Sequence, residues 1–351
     1  MKGTAIVFSN GIFDSRSAKT THGLIRGSER FDIKGVIDHK FHGNDAGELL
    51  DGVHRDIPIY ASVEEFLNSG QSVDYAVIGI APGGGQLPAA MREDVIKALS
   101  NGVSLVSGLH QFLADDSELA EIAKENLADI HDIRKPRPKK DLAFWNGDIK
   151  EVTCPKLVVM GDDCGLGKRT TAKFTVEALR KKGYKSEMIF TGQTGWMQGW
   201  KYGFILDSTV NDFVSGELEH MMVRCFREES PDAIVIEGQA ALRNPSGPCG
   251  AEFLISGRMD GVILQHAPAR KYYEGVPELK IEIPPVKSEI ELIAMYGVPV
   301  VALTLNTKGL TLDEAKRYQS DYQEELDIPV FLPIEEGLDG IVPIIEQLRK
   351  S

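Results

Sequence analysis

Leu157-Val158-Val159-Met160-Gly161-Asp162-Asp163-Cys164-Gly165-Leu166-Gly167-Lys168-Arg169-Thr170-Thr171 is the stretch that decides the fold. An apolar run ends in a glycine-rich turn, and a helical pattern follows over Lys168–Lys182. Strand, glycine turn and helix are the context that a phosphate-binding loop requires. Glycines let backbone N–H groups curl round a phosphate, the helix N-terminus adds partial positive charge, and Lys168 adds a full one. Asp163, Gly165, Gly167, Lys168, Arg169, Thr170 and Thr171 are therefore the expected cofactor-binding residues. Two departures matter. Gly161 and Gly167 are separated by five residues where the standard motif has four, and Arg169 stands where a hydroxyl normally holds Mg²⁺. Phosphate binding is expected from this loop; with Thr170 one position late, the metal site on which nucleotide hydrolysis depends is weakened.

Outward from the loop, short apolar runs alternate with amphipathic segments, the pattern of a mostly parallel sheet covered on both faces. Ala233–Ile236 is a buried strand that ends at Glu237-Gly238-Gln239, and Glu237 is a candidate base. Gly261–Gln265 is another strand, followed by His266-Ala267-Pro268-Ala269-Arg270-Lys271. His266 is a candidate for proton transfer, and Arg270 and Lys271 for binding a carboxylate or phosphate. Thr191-Gly192-Gln193-Thr194-Gly195 follows the strand Ser186–Phe190, and Asn244–Gly250 is a Pro/Gly-rich loop. Loops at strand C-termini are where α/β sheets bind ligands, so Gln193, Thr194, Gln239 and Ser246 join the expected substrate-binding set. Each of these has a structural alternative: a solvated acid at a strand end, an ordinary connection, or a histidine held for packing. A helix over Asp207–Glu229, broken near Ser215-Gly216, and a last helix over Gly340–Lys350 complete this half.

The first half repeats the α/β pattern, with strands at Thr4–Ser9, Ile33–Asp38, Tyr75–Ile80 and Val103–Ser107. Ser62 followed by Glu65 predicts a capped helix. Ala81-Pro82-Gly83-Gly84-Gly85 resembles a nucleotide-domain turn, although it is not a dinucleotide fingerprint, and Asp38 stands where a ribose-binding acid would. Between the halves, Arg134-Lys135-Pro136-Arg137-Pro138-Lys139-Lys140 suits neither helix nor strand and reads as a linker. The expected organisation is a Rossmann-like domain over residues 1–138 and a larger P-loop α/β domain over 139–351.

Composition narrows the function classes. Over 351 residues, 39 basic and 52 acidic side chains leave a net charge of −13, which argues against nucleic acid or an anionic membrane as partner. No apolar run approaches a membrane span, and the N-terminal run reads as a strand and not as a signal peptide. Cys154, Cys164, Cys225 and Cys249 form no CxxC pair, so no structural metal and a reducing cytoplasm are expected.

The loop Gly161–Ala172 resembles the signature of a family of two-domain P-loop proteins of formerly unknown function, which contains the DgcN-type D-glutamate N-acetyltransferases. Thr191–Gly195, Glu237–Gln239, Gln265–Lys271 and Asp207–Phe213 with Gly216 and Glu219 look like its other recurring blocks. The resemblance spans essentially the whole chain. It implies acetyl-CoA-dependent transfer to the amino group of D-glutamate, giving N-acetyl-D-glutamate. The CoA diphosphate would lie in the phosphate loop, and Glu237 or His266 would act as base. The loop also resembles that of dethiobiotin synthetase, whose hydroxyl follows the lysine directly. That likeness keeps open an Mg-ATP-dependent kinase or carboxylate-activating ligase. A third reading is a ligand-sensing module without turnover. Small-molecule substrates and a homo-oligomer are the expected partners.

Overall fold

The computed structural model describes residues 1–274 and 276–349, so the expected end of the last helix at Lys350 lies outside the described residues. The chain forms two compact units: residues 1–137 with 193–200, and 138–192 with the described remainder from Lys201 onward. Both are α/β, and every ladder between the strands named below is parallel.

In the first unit the strands are β1 (Gly3–Phe8), β2 (Phe31–Ile37), β3 (Ile59–Tyr60), β4 (Tyr75–Ile78), β5 (Ser104–Ser107) and β6 (Ile130–Asp132). Their order is β3-β2-β1-β4-β5-β6, the doubly wound Rossmann-like arrangement. The continuous apolar run of β1 follows from burial on both faces. Ile6 and Phe8 join one core cluster, whereas Ala5 and Val7 join another on the opposite face. Ser62 caps the helix Val63–Asn68 by accepting the Glu65 N–H, and the Glu65 carboxylate reaches back to the Ala61 N–H.

The sequence reading treats 139–351 as continuous, but residues 193–200 belong to the first unit. Gln193–Gln198 is a helix where a loop is expected. Two glycines interrupt its apolar spacing, so no helical period is visible. Its stability comes from packing: Met197 is fully buried with Val7 and Val106, and the Arg30 guanidinium lies 4.0 Å from the Trp196 ring centroid. The basic stretch read as a linker starts inside the first unit, in the turn after β6, since Arg134 is buried and donates to Gly108 O at 2.6 Å.

The second unit contains β7 (Lys156–Gly161), β8 (Ser186–Phe190), β9 (Tyr202–Gly203), β10 (Ala233–Glu237), β11 (Gly261–His266), β12 (Val300–Leu305) and β13 (Val330–Phe331). Their order is β13-β12-β11-β7-β10-β8-β9. All six residues of β7 are buried, as are those of β11. The chain leaves β7 for β8, returns to β10 beside β7, and then crosses to β11 on β7's other side. That reversal makes the C-terminal end of β7 a topological switch point, where open parallel sheets bind ligands. Among the described residues, no helix is long and apolar enough to cross a membrane.

The expected break near Ser215-Gly216 does not occur, because one helix runs from Asn211 to Glu229. Gly216 serves packing instead. A Cβ there would lie 2.1 Å from the main-chain oxygen of Ala143. The same helix turns two buried carboxylates on that segment. Glu217 accepts the N–H of Ala143 at 2.7 Å, and Glu219 accepts those of Asn146 and Ile149 at 2.8 and 3.0 Å. Gly216 and Glu219 therefore clasp residues 143–149 to the second unit. Helix propensity alone favours Gly216→Ala by about 1 kcal/mol, whereas overpacking against rigid backbone costs about 1–3 kcal/mol. Gly216→Ala is expected to lower the melting temperature by several degrees in a calorimetric scan; a rise would refute the close approach.

Candidate functional site

The loop after β7 is organised by a carboxylate. Asp163 is fully buried, and its two oxygens accept four hydrogen bonds. Oδ1 takes the Cys164 N–H at 2.6 Å and Asn244 Nδ2 at 2.8 Å. Oδ2 takes Arg270 Nη1 at 2.7 Å and the Glu274 N–H at 2.9 Å. Arg270 Nη1 also donates to Cys164 O at 2.6 Å, and its Nη2 pairs with Glu274 at 3.0 Å. One acid thus ties the phosphate loop to the loops that follow β10 and β11. Asp163 and Arg270, expected as ligand contacts, are committed to one another and to this latch.

Gly167 ends the turn with φ +101°, a conformation that side chains disfavour, and it lets helix Lys168–Lys181 begin directly. Gly165 and Gly167 are exposed, and Arg169 and Thr170 are half-buried on the first helical turn. Thr171 points inward, where its hydroxyl donates to Gln265 Oε1 at 2.5 Å. Lys168 is buried and donates from Nζ to Asp163 O and Ala240 O, both at 2.7 Å. Ala240 takes φ +31° to present that carbonyl, a strained conformation for a residue with a Cβ. Among the described residues, no carboxylate lies within ion-pair distance of Lys168; its hydrogen-bond partners are main-chain carbonyls, and Asp162 and Asp163 act on its charge from farther off. Burial accordingly lowers its pKa from the ordinary lysine value.

At the end of β11, His266 is buried with both ring nitrogens engaged. Nδ1 lies 2.6 Å from Asp162 Oδ2, and Nε2 lies 3.1 Å from the Tyr322 hydroxyl. An ionised carboxylate only accepts, so Nδ1 carries a proton, and in the neutral ring Nε2 accepts from Tyr322. Burial pushes the Tyr322 phenol up to about 12, which keeps it a donor at neutral pH. The arrangement is an acid-oriented histidine whose basic nitrogen faces a phenol.

At the end of β10, Glu237 is buried. Its Oε2 accepts the Thr191 N–H at 3.2 Å, and its main-chain oxygen accepts the Thr191 hydroxyl at 2.5 Å. Gln239 donates to the same hydroxyl at 2.9 Å. Ser246 is exposed, and both its N–H and hydroxyl turn back to Asn244 Oδ1. Arg243, the next residue outward, holds the buried Glu289 at 2.6 Å.

Three expected contacts fall elsewhere. Lys271 is exposed and pairs with Glu282 at 2.9 Å, because the chain turns outward after Arg270. Gln193 and Thr194 lie in the first unit, where Gln193 accepts from Arg134 at 2.8 Å and Thr194 meets Thr20 at 2.9 Å. In that unit Asp38 is no ribose acid. It is fully buried and accepts from the Ser9 hydroxyl and from the N–H groups of Phe13, Lys40 and Phe41. The sequence reading missed Asp162, Asn244, Glu289 and Tyr322. Asp162 lay in the quoted loop beside the favoured Asp163. Tyr322 and Glu289 stand on distant helices with no motif round them. None of the four cysteines is in a disulfide.

Comparison with known proteins places this geometry. Residues 143–342 match the model of a "Domain of unknown function (DUF1611_C) P-loop domain". Residues 39–136 match that of the "(DUF1611_N) Rossmann-like domain". A protein of Tritonibacter scottomollicae named "D-glutamate N-acetyltransferase" is 28% identical over 271 residues, covering 76% of this chain and 79% of its own. A Pseudoalteromonas protein of the same name is 27% identical over 278 residues, with the same shares. The crystal structure of a DUF1611 family protein from Anabaena variabilis ATCC 29413 superposes with a TM-score of 0.89 at 29% identity. It covers 99% of this chain and 100% of its own. The chain belongs to the DUF1611 family, with its Rossmann-like N-terminal domain and its C-terminal P-loop domain.

Proposed function

We propose that this protein is an acetyl-CoA-dependent N-acetyltransferase whose acceptor is the amino group of D-glutamate. The names of the two relatives support the reaction class and the acceptor. The observation that carries the anionic ligand is Lys168, a buried ammonium with two carbonyl partners and no carboxylate. Its third N–H, the exposed glycines Gly165 and Gly167 and the helix N-terminus that follows them suit a diphosphate. The loop favours CoA over Mg-ATP: Asp163 has four partners already, the Thr171 hydroxyl is spent on Gln265, and Thr170, the hydroxyl that remains, stands one position later than the motif places a magnesium ligand.

Acetyl-CoA would supply an acetyl group activated as a thioester. The chain's own residues do the rest. His266 takes the proton that the acceptor amine loses, through Nε2, once the Tyr322 hydroxyl yields that position. Asp162 holds the ring in the required tautomer and stabilises its charged form. Lys168 and the loop main chain bind the diphosphate without any bond to phosphorus being broken. A small-molecule acceptor, a cytoplasmic location and a homo-oligomer accord with this reading.

Purified protein given acetyl-CoA and D-glutamate is expected to release CoA thiol, and acetyl-CoA is expected to raise its melting temperature more than Mg-ATP does. Lys168→Ala should weaken CoA binding by about 2 kcal/mol, roughly 30-fold. Absence of CoA release with every amino acid tried would overturn the proposal. His266→Gln should lower kcat by about a hundredfold or more while CoA affinity measured by calorimetry stays unchanged. Unaltered turnover would remove His266 from the reaction.

A further inference from the structure

Three buried side-chain atoms among the described residues have no hydrogen-bond partner. Gln198 Oε1 is in the first unit. The other two, Asp162 Oδ1 and Glu289 Oε1, are both carboxylate oxygens of the second unit. Asp162 is 2% exposed and Glu289 is 1% exposed. A buried acceptor left without a donor costs about 1–3 kcal/mol, and native folds keep few of them. Two carboxylates that each use one oxygen and leave the other bare call for a common explanation.

The bonds already described link them through consecutive residues. Arg243 holds Glu289 Oε2 at 2.6 Å, and the adjacent Asn244 holds Asp163 Oδ1 at 2.8 Å. Asp162 precedes Asp163, so two consecutive pairs of residues bring Glu289 to the start of the phosphate loop. Tyr273, itself buried, lies within the field of both acids. Burial pushes its phenol up to about 12, and the charges of Glu289 and Asp162 add to the effect. The charge of Asp162 likewise adds to the burial that lifts the Glu289 carboxyl above its ordinary range.

We propose that Asp162 Oδ1 and Glu289 Oε1 together receive the primary ammonium group of an amino-acid ligand. An ammonium carries three donors in a compact tetrahedron, enough to satisfy both bare oxygens at once. Its charge offsets two buried carboxylates more fully than a neutral donor does. Among the described residues, no group of three or more His, Cys, Asp or Glu side chains is disposed to hold a metal ion; a magnesium ion on two carboxylates and water is the competing occupant that the MgCl₂ arm below tests. In the reaction proposed above this ligand is the acceptor. The assignment rests on that reading for the ligand's identity and on the orphaned oxygens for its charge. It places the amine beside the Asp162–His266 pair and the anionic cofactor beside Lys168.

The test compares amino acids with their deaminated analogues by calorimetry on the full chain, with D-glutamate against glutarate and D-aspartate against succinate. The wild-type protein is expected to bind one of the amines at least about tenfold more tightly than its analogue. Glu289→Gln, with Asp162→Asn as the second variant, should abolish that preference while leaving analogue binding and CoA binding unchanged. Retained CoA binding shows that the phosphate loop is still folded. The ammonium site is overturned if no pair differs in the wild type, if the preference survives both substitutions, or if amine and analogue weaken equally. It is overturned also if MgCl₂ binding is what the variants lose. If D-aspartate shows the amine preference and D-glutamate does not, the acceptor reading fails and the ammonium site stands.

Discussion

The second unit's site depends on one buried carboxylate. Asp163 cannot remain charged without donors in its fully buried position, and three chain segments supply them: the phosphate loop itself, Asn244, and the Arg270–Glu274 turn. The ends of β7, β10 and β11 therefore become one rigid surface. Removing a single partner would strand a charge in the interior, which costs far more than the bond itself contributes. The same latch holds the loop with its five-residue spacing between Gly161 and Gly167 through contacts across the sheet edge.

Around this latch the charges are segregated. Lys168 faces main-chain carbonyls, Asp162 faces a histidine, and Glu289 faces an arginine. A chain with a net charge of −13 thereby keeps a buried cation without a contact carboxylate in the loop, and bare carboxylate oxygens on Asp162 and Glu289. The anionic cofactor and cationic acceptor group proposed above would make opposite demands, and adjoining strand ends could meet both because a parallel sheet aligns all its C-termini at one edge.

The Rossmann-like unit shows how a familiar edge can be used differently. Asp38 ends β2 where a ribose would be read, yet its oxygens are occupied by Ser9, Phe13, Lys40 and Phe41. The segment Gln193–Trp200, which leaves the second unit after β8, packs into this unit. Position at a strand end is thus a weak guide to ligand contact, since an acid there also serves to close its own loops.

Alternating apolar runs and amphipathic segments were enough to read two α/β units with parallel sheets, though not the short strands β3, β6 and β9, and the turn Gly161–Lys168 was enough to read the P-loop domain. These are local patterns imposed by two-sided burial and by backbone geometry, so they are written in neighbouring residues. Which polar side chains meet at the site is a different kind of fact. His266 was visible at the end of its strand, but its partners Asp162 and Tyr322 are 104 and 56 residues away. Lys271 sits next to Arg270 and still turns to solvent. Gly216 read as a helix break and became a point of close contact. Sequence by itself determined the periodicity and the phosphate loop. Tertiary structure alone decided the pairing of buried charges, because that pairing is set by the desolvation cost of each ion and by which distant element supplies its donor.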